Sequence, residues 1–206
     1  MSKVLYKFLG KGRIPCHGGS GKYSKSEWMP KVVVEPCFSG YHLCTEKNLC
    51  SWVAEELWEA EGRGQSVSLF EKEVFEEVRL IRKLNWDAEL ALDWAIECLS
   101  ADLDTNCLSG KLIRPLLDDF KSLDEELLNL CLEGVGKYKV EMSYYAFSAL
   151  CKAQICLGKG LTAASAKYSG YCSRVISEYR SDVMHGYSRI WKKQSKAILR
   201  LCGELC

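Results

Sequence analysis

Before Asn85 the apolar positions come in short runs broken by glycine and proline; after it they recur at helical spacing. "VLYKFL" (Val4 to Leu9) predicts a first strand. "GKGRIPCHGGSGKYSKSEW" (10–28) predicts a long loop, because glycine and proline punctuate it throughout. "KVVVEP" (31–36) is β-branched, short and stopped by Pro36, which predicts a second strand. "GYHLC" (40–44) predicts another short strand. Thr45 can then cap a small helix through Asn48, Leu49 and Trp52, its hydroxyl accepting from an open backbone amide. In "ELWEAEG", Leu57, Glu59 and Glu61 alternate with Trp58 and Ala60, and a period of two sends the two sets to opposite faces of a sheet. "SVSLF" and "EVFEEVRLI" complete the strand-rich part.

Asn85 can cap a helix that carries Trp86, Leu90, Trp94 and Leu99 along one side, with Asp87 and Glu89 placed to suit the helix dipole. "KLIRPLLDDF" predicts a shorter helical piece around Pro115. Ser122-x-x-Glu125 is a capping-box pattern ahead of "LLNLCL". "VEMSYYAFSALCKAQICLG" follows, ended by Gly158, and "TAASAKYSGYCSRVISEY" and "DVMHGYSRIWKKQSKAILRLCGEL" are the last two helices. The small residues Ala163, Ala164, Ser165, Ala166, Ser169 and Gly170 would let helices approach closely. The pattern predicts an α+β fold: a small mixed-sheet domain over 1–84 and an all-helical domain over 85–206.

Composition changes this picture little and narrows the function. The chain has 206 residues, enough to bury a core without staples. Its 28 basic and 27 acidic side chains give a net charge of +1, so no general pull toward nucleic acid is expected. The stretch "MSKVLYKFLGKGRIPC" has no apolar signal core, and no run approaches the roughly 18 apolar residues of a membrane span. A cytosolic protein is expected, in which the 12 cysteines stay mostly reduced. Cys98, Cys131, Cys151, Cys156 and Cys202 sit among apolar helical neighbours, where a thiol packs as a small hydrophobe. No cofactor is expected.

Four constellations could carry chemistry. Cys37, His42, Cys44 and Cys50 offer enough soft ligands for tetrahedral zinc, and residues 42 and 44 would share one face of a strand. Their spacing fits none of the common finger patterns, so less than one zinc per chain is expected. Cys44 with His42, or Cys16 with His17, could form a thiolate pair, but no third group is evident to orient either histidine. "GKGR" and "HGGSGK" are glycine-rich and basic, as anion-cradling loops are, without matching a phosphate-loop signature. Finally, Arg174, Arg180, Arg189, Lys192, Lys193, Lys196 and Arg200 accompany Tyr179, Tyr187 and Trp191 on the last two helices. Tyr187 and Trp191 are spaced i,i+4 and share a face. We expect Tyr187, Arg189, Trp191, Lys192, Lys193 and Lys196 to form a partner or self-association surface, and a local basic patch there could also take nucleic acid.

The run "CFSGYHLCTEKNLCSWVAEELWEAEG" resembles a set of uncharacterised proteins carried by tailed phages and prophages. These share a Gly-[Phe/Leu/Tyr]-His-x-Cys unit, then Leu and an aromatic, an acidic strand and a helical tail. The matching residues here are Gly40, Tyr41, His42, Cys44, Leu49, Trp52, Trp58 and Glu61. The end, "WKKQSKAILRL", is similar to those tails, although the chain lacks their alanine-rich character. That family implies no established activity. More distantly, the order of "VLYKFLG", "GYHLC" and Glu59-x-Glu61 resembles an ADP-ribosyltransferase core, where the first strand carries a His or Arg. This chain has Lys7 there, which removes the residue expected to hold the cofactor ribose. If the fold were shared, Glu61 or Glu73 would be the catalytic carboxylate, with His42 beside it. The expectation is a phage-type accessory protein in the host cytoplasm that binds a host protein, in its concrete form an inhibitor of a CRISPR-like defence complex. The alternatives are a divergent ADP-ribosyl or nucleotidyl transferase and a zinc-stabilised nucleic-acid binder.

Overall fold

The computed structural model describes residues 4–16, 18–36, 38–69, 72–101, 149, 152–153, 156, 159–180 and 183–204. Four strands, β1 (Leu5–Leu9), β2 (Tyr41–Leu43), β3 (Glu56–Ser68) and β4 (Glu73–Lys83), form a sheet in the order β1-β3-β4-β2. A short 3-10 helix (Glu46–Ser51) follows β2. The described helices are α1 (Ala88–Ala101), α2 (Thr162–Arg180) and α3 (Val183–Leu201). The fold is therefore mixed α and β. The expected helices between residues 102 and 148 lie outside the described residues.

The sheet was expected to be mixed, but all three of its strand pairings are antiparallel. The long β3–β4 hairpin imposes this, because a short turn can only join antiparallel neighbours. Beyond the end of β2, the amide of Cys44 donates to the carbonyl of Tyr6 at 2.9 Å and the amide of Tyr6 donates to that of Cys44 at 2.8 Å. These two bonds link β2 back to β1 and close the sheet into a ring. The register shifts twice: at Glu59/Ala60 the extra residue, Ile81, is in β4, and between Arg63 and Ser66 it is in β3. Such local kinks add the curvature that closure needs.

The "KVVVEP" strand does not form. Residues 31–34 run beside β4 with no strand ladder, and the amide of Val32 donates to the carbonyl of Glu76. Pro30 and Pro36 flank the run and cannot donate to a ladder. "SVSLF" is no separate strand either: Ser66, Val67 and Ser68 complete β3. Thr45 makes no side-chain cap; its carbonyl accepts from the amide of Asn48 instead. Asn85 does not cap α1. The carboxylate of Asp87 accepts from the amide of Leu90 at 2.9 Å and takes that role two residues later.

Contact within the chain divides it into two units, Met1–Leu90 with Ser195–Cys206, and Ala91–Gln194. The expected single cut near residue 84 misses the return of the chain's end to the first unit. There Ser195 Oγ accepts from the amide of Cys50 at 3.2 Å and donates to the carbonyl of Lys47 at 3.1 Å. Arg82 also holds Glu204 through two bonds, at 2.8 and 2.6 Å.

Inside the ring lie Leu5, Leu9, Tyr23, Leu43, Trp58, Ala60, Phe75, Val78 and Leu80. Trp58 and Ala60 face inward while Glu61 is exposed, as the alternation in β3 predicts. Leu57 departs from that pattern, for it is buried too. Its carbonyl accepts from the amide of Leu84, and Phe8, its register partner, meets Trp86 edge to face at 5.7 Å. The ring is thus packed on both sides at this end.

The second unit has its own centre. Trp94 is fully buried, and its indole N–H donates to the carbonyl of Gln194 at 2.9 Å. The side-chain Nε2 of Gln194 donates to the carbonyl of Gly170 at 3.2 Å. A Cβ at Gly170 would meet the Trp94 ring at 2.6 Å, so the small residue permits the close approach that the sequence suggested.

Candidate functional site: a lysine inside the ring

Strand β1 sets the site. In a strand, side chains alternate between faces. Leu5, Lys7 and Leu9 therefore share one face, and Leu5 and Leu9 belong to the core of the ring. Lys7 lies between them, opposite Trp58 in register. An amine thus occupies a core-facing position. Part of the side chain is exposed, but the ammonium end is enclosed. It donates to the carbonyl of His42 at 2.7 Å and lies 5.2 Å from the centre of the Tyr23 ring. Burial, aided by the nearby Lys72 charge, lowers its pKa to about 8.

The Lys7 side chain opens into a cavity of about 260 Å³. Its described wall combines Tyr23, Tyr41 and Trp52 with Lys7, His42 and Lys72, and contains no aspartate or glutamate. The glycine-rich loop contributes Gly18, Gly19 and Ser20. Lys72 reaches the wall because it directly precedes Glu73, which pairs with Leu43 in register. Its amine lies 3.4 Å from Nδ1 of His42 and 5.6 Å from the centre of the Trp52 ring. Gly40 lets β2 enter: its φ is +114°, and any side chain there would run into Val74.

His42 and Cys44 both line this cavity, as does Leu43 between them. They do not make a thiolate pair. Burial pushes the Cys44 thiol up to about 12, and it donates to the carbonyl of Tyr6 at 3.3 Å. Burial, with Lys72 and Lys7 nearby, lowers the His42 imidazole to about 4 and keeps it neutral at ordinary pH. Cys16 lines the cavity, and His17 lies outside the described residues.

The four-ligand metal set is not assembled among the described residues. Cys37 lies outside them, and Cys50 is buried in the 3-10 helix. Within the described residues no three His, Cys, Asp or Glu side chains come together as a metal site. Glu61 and His42 do not form a catalytic couple either. Glu61 stands on the outer face of β3, paired with Arg79 at 2.7 Å, and does not line the cavity. Glu73 does not line it either.

At the other end of the chain, Trp191 is buried, which corrects its place in the expected docking surface. Lys192, Lys193 and Lys196 are exposed. Their spacing around Ile190, Trp191, Gln194 and Ala197, all buried, is that of a helix with one solvated side. The side chains of Tyr187 and Arg189 lie outside the described part of α3.

Sequence reasoning gave Lys7 no role of its own. The signal was available, since Lys7 shares the parity of Leu5 and Leu9 in an apolar strand. Comparison with known proteins finds no matching family model, no matching curated protein and no matching solved structure.

Proposed function

We propose that the chain works by binding, and that its ring of strands holds a small organic anion in the Lys7 cavity. One observation carries this reading. Two lysines face one cavity whose described wall has no carboxylate, so the wall is positive and uncompensated. A buried charge without a partner is unfavourable, and an anionic ligand relieves it. The aromatic walls supply apolar area, and the glycine loop adds Gly18, Gly19 and Ser20 to the wall. A volume near 260 Å³ lies just under the ordinary range for ligand sites, about 300–1,000 Å³, and suits a small molecule.

Titration calorimetry with pyruvate and with inorganic phosphate tests this. Binding at one site per chain, weakened at least tenfold in both Lys7→Met and Lys72→Gln, is expected. Equal affinity in the wild type and both variants overturns it.

The wider setting we propose is the one the phage resemblance suggests: an accessory protein in the host cytoplasm that engages a host protein complex, with a CRISPR-like defence system as the concrete case. What supports a protein partner is Phe38, 86% exposed at the cavity rim, together with Val33, 76% exposed on the preceding loop. Among the described residues no helix is long and apolar enough to cross a membrane, which agrees with that setting. A pull-down from host lysate should return one stoichiometric partner with the wild type and lose it with Phe38→Ala. Retention of the same partner by Phe38→Ala removes the rim from the reading.

A further inference from the structure

Resting on the anion-binding reading, we propose that Lys7 forms an imine with the carbonyl of its ligand, which is then a small 2-oxo acid or an aldehyde that carries a carboxylate or phosphate. Three features place the chemistry at this residue. The Lys7 amine sits at the cavity, held at 2.7 Å by the carbonyl of His42. No described wall residue is a carboxylate that would lock the amine as an ammonium. A second amine, Lys72, lines the same cavity and can hold the ligand's anionic end while its carbonyl faces Lys7. A desolvated lysine beside another cation is the arrangement that makes an amine nucleophilic near neutral pH.

The step balances without a co-reactant. The lone pair of neutral Lys7 Nζ attacks the carbonyl carbon, and the C=O π electrons move to oxygen. A proton passes from nitrogen to that oxygen, giving a carbinolamine. A proton from water protonates the hydroxyl, and the nitrogen lone pair expels it as water to give a protonated C=N bond. Loss of the remaining N–H proton to water returns the proton borrowed. One amine and one carbonyl give one imine and one water, and nothing is oxidised or reduced. The groups that face Lys7 Nζ are Lys72, Cys44, Cys16, the Tyr23 ring and the His42 carbonyl. Of these, Lys72 favours the neutral amine, while any thiolate formed at Cys44 or Cys16 would oppose it.

The experiment treats the full chain with pyruvate, and separately with pyridoxal 5′-phosphate, in the presence of cyanoborohydride from pH 6 to pH 10. Intact mass counts the adducts and peptide mapping places them. The expected result is one dominant adduct, at Lys7, formed at least tenfold faster than at any other lysine at pH 7.5. Its rate should rise through a pH near 8, after correction for the reductant's own pH dependence. Noncovalent pyruvate binding should run the other way and weaken above that pH, because it uses the ammonium. If adducts spread evenly over the lysines while pyruvate still binds at one Lys72-dependent site, the imine falls and the pocket stands. If neither a Lys7 adduct nor site binding is seen, both fall. The assignment comes from the wild-type map, so it does not depend on a Lys7 variant folding; Lys72→Gln should slow the Lys7 adduct at least fivefold.

Discussion

The inner and outer faces of the strand ring both carry cations, and they treat them in opposite ways. On the outer face Arg63 pairs with Glu77, Arg79 with Glu61, and Arg82 with Glu59 and Glu204. Arg63 and Arg79 also stack on Trp28, at 4.1 and 4.8 Å from its ring centre. On the inner face Lys7 has a carbonyl and an aromatic ring but no described carboxylate. Outside, water already solvates the charge, so each pair adds little. Inside, desolvation opposes the charge and no carboxylate of the described wall offsets it. The uncompensated cation therefore marks the site, and the compensated ones mark the scaffold.

The largest effect that would sharpen the contrast lies on the same strand. Leu9 is fully buried and shares the inner face with Lys7. Leu9→Ala should destabilise the first unit by about 2–5 kcal/mol, since a cavity adds to the lost transfer energy. Lys7→Met should go the other way and raise stability by about 1–3 kcal/mol at pH 7, because it removes a desolvated charge and keeps the volume. Thermal or urea unfolding measures both. A Lys7→Met protein that is destabilised as much as Leu9→Ala would show that the amine is a structural element, and the contrast between faces would be lost.

The pH dependence isolates the same group. The pKa of Lys7 is about 8 when folded and 10.5 in its ordinary state. Between those values the unfolded chain binds more protons, so stability rises with pH. The penalty from Lys7 is fully present below pH 8 and is relieved by about pH 10.5, amounting to at most about 3 kcal/mol. The difference between wild type and Lys7→Met should therefore shrink from pH 8 to pH 10.5. His42 works in an acid window. Its pKa falls from 6.5 to about 4 on folding, so it withdraws stability as pH drops from 6.5 to 4. His42→Gln should flatten that part of the curve. A pH-independent difference for Lys7→Met would mean that the amine is solvated.

How far the sequence could have led follows from the same faces. Strand β3 was legible over "ELWEAEG" from its period of two. Strands β1 and β4 were legible as short apolar runs, since Phe8 and Val74 are buried on the face opposite the ring core and blur the alternation. "KVVVEP" misled because β-branching describes a residue's fit to a pleated surface, while pairing depends on a free partner edge and on backbone donors that its flanking prolines lack. Ring closure was not legible, because it rests on two backbone bonds between Tyr6 and Cys44, which any residue but proline could make. His42 and Cys44 were found by their chemistry and do share the cavity. Lys72, just after the hairpin tip, gave no local signal; only the register of β4 against β2 brings it to His42. Glu61 attracted notice for its acidity, and a carboxylate's role is set by which face it is on.

The smallest effect concerns that carboxylate and tests the contrast from outside. The Arg79 and Glu61 side chains are 36% and 51% exposed, and they meet at 2.7 Å on the outer face. Exposed pairs contribute about 0–1 kcal/mol, since solvent screens the attraction and two long side chains lose freedom. Arg79 has a second contact, the Trp28 ring, so its removal should matter slightly more than that of its partner. Glu61→Gln should leave unfolding within about 0.5 kcal/mol of wild type, and Arg79→Ala within about 1 kcal/mol, with both differences fading in high salt. Neither should change pyruvate binding, because neither residue lines the cavity. Glu61→Gln should likewise leave partner capture intact. Loss of activity in a folded Glu61→Gln protein would revive the transferase reading, since it would give chemical work to a carboxylate that the fold places on the scaffold side.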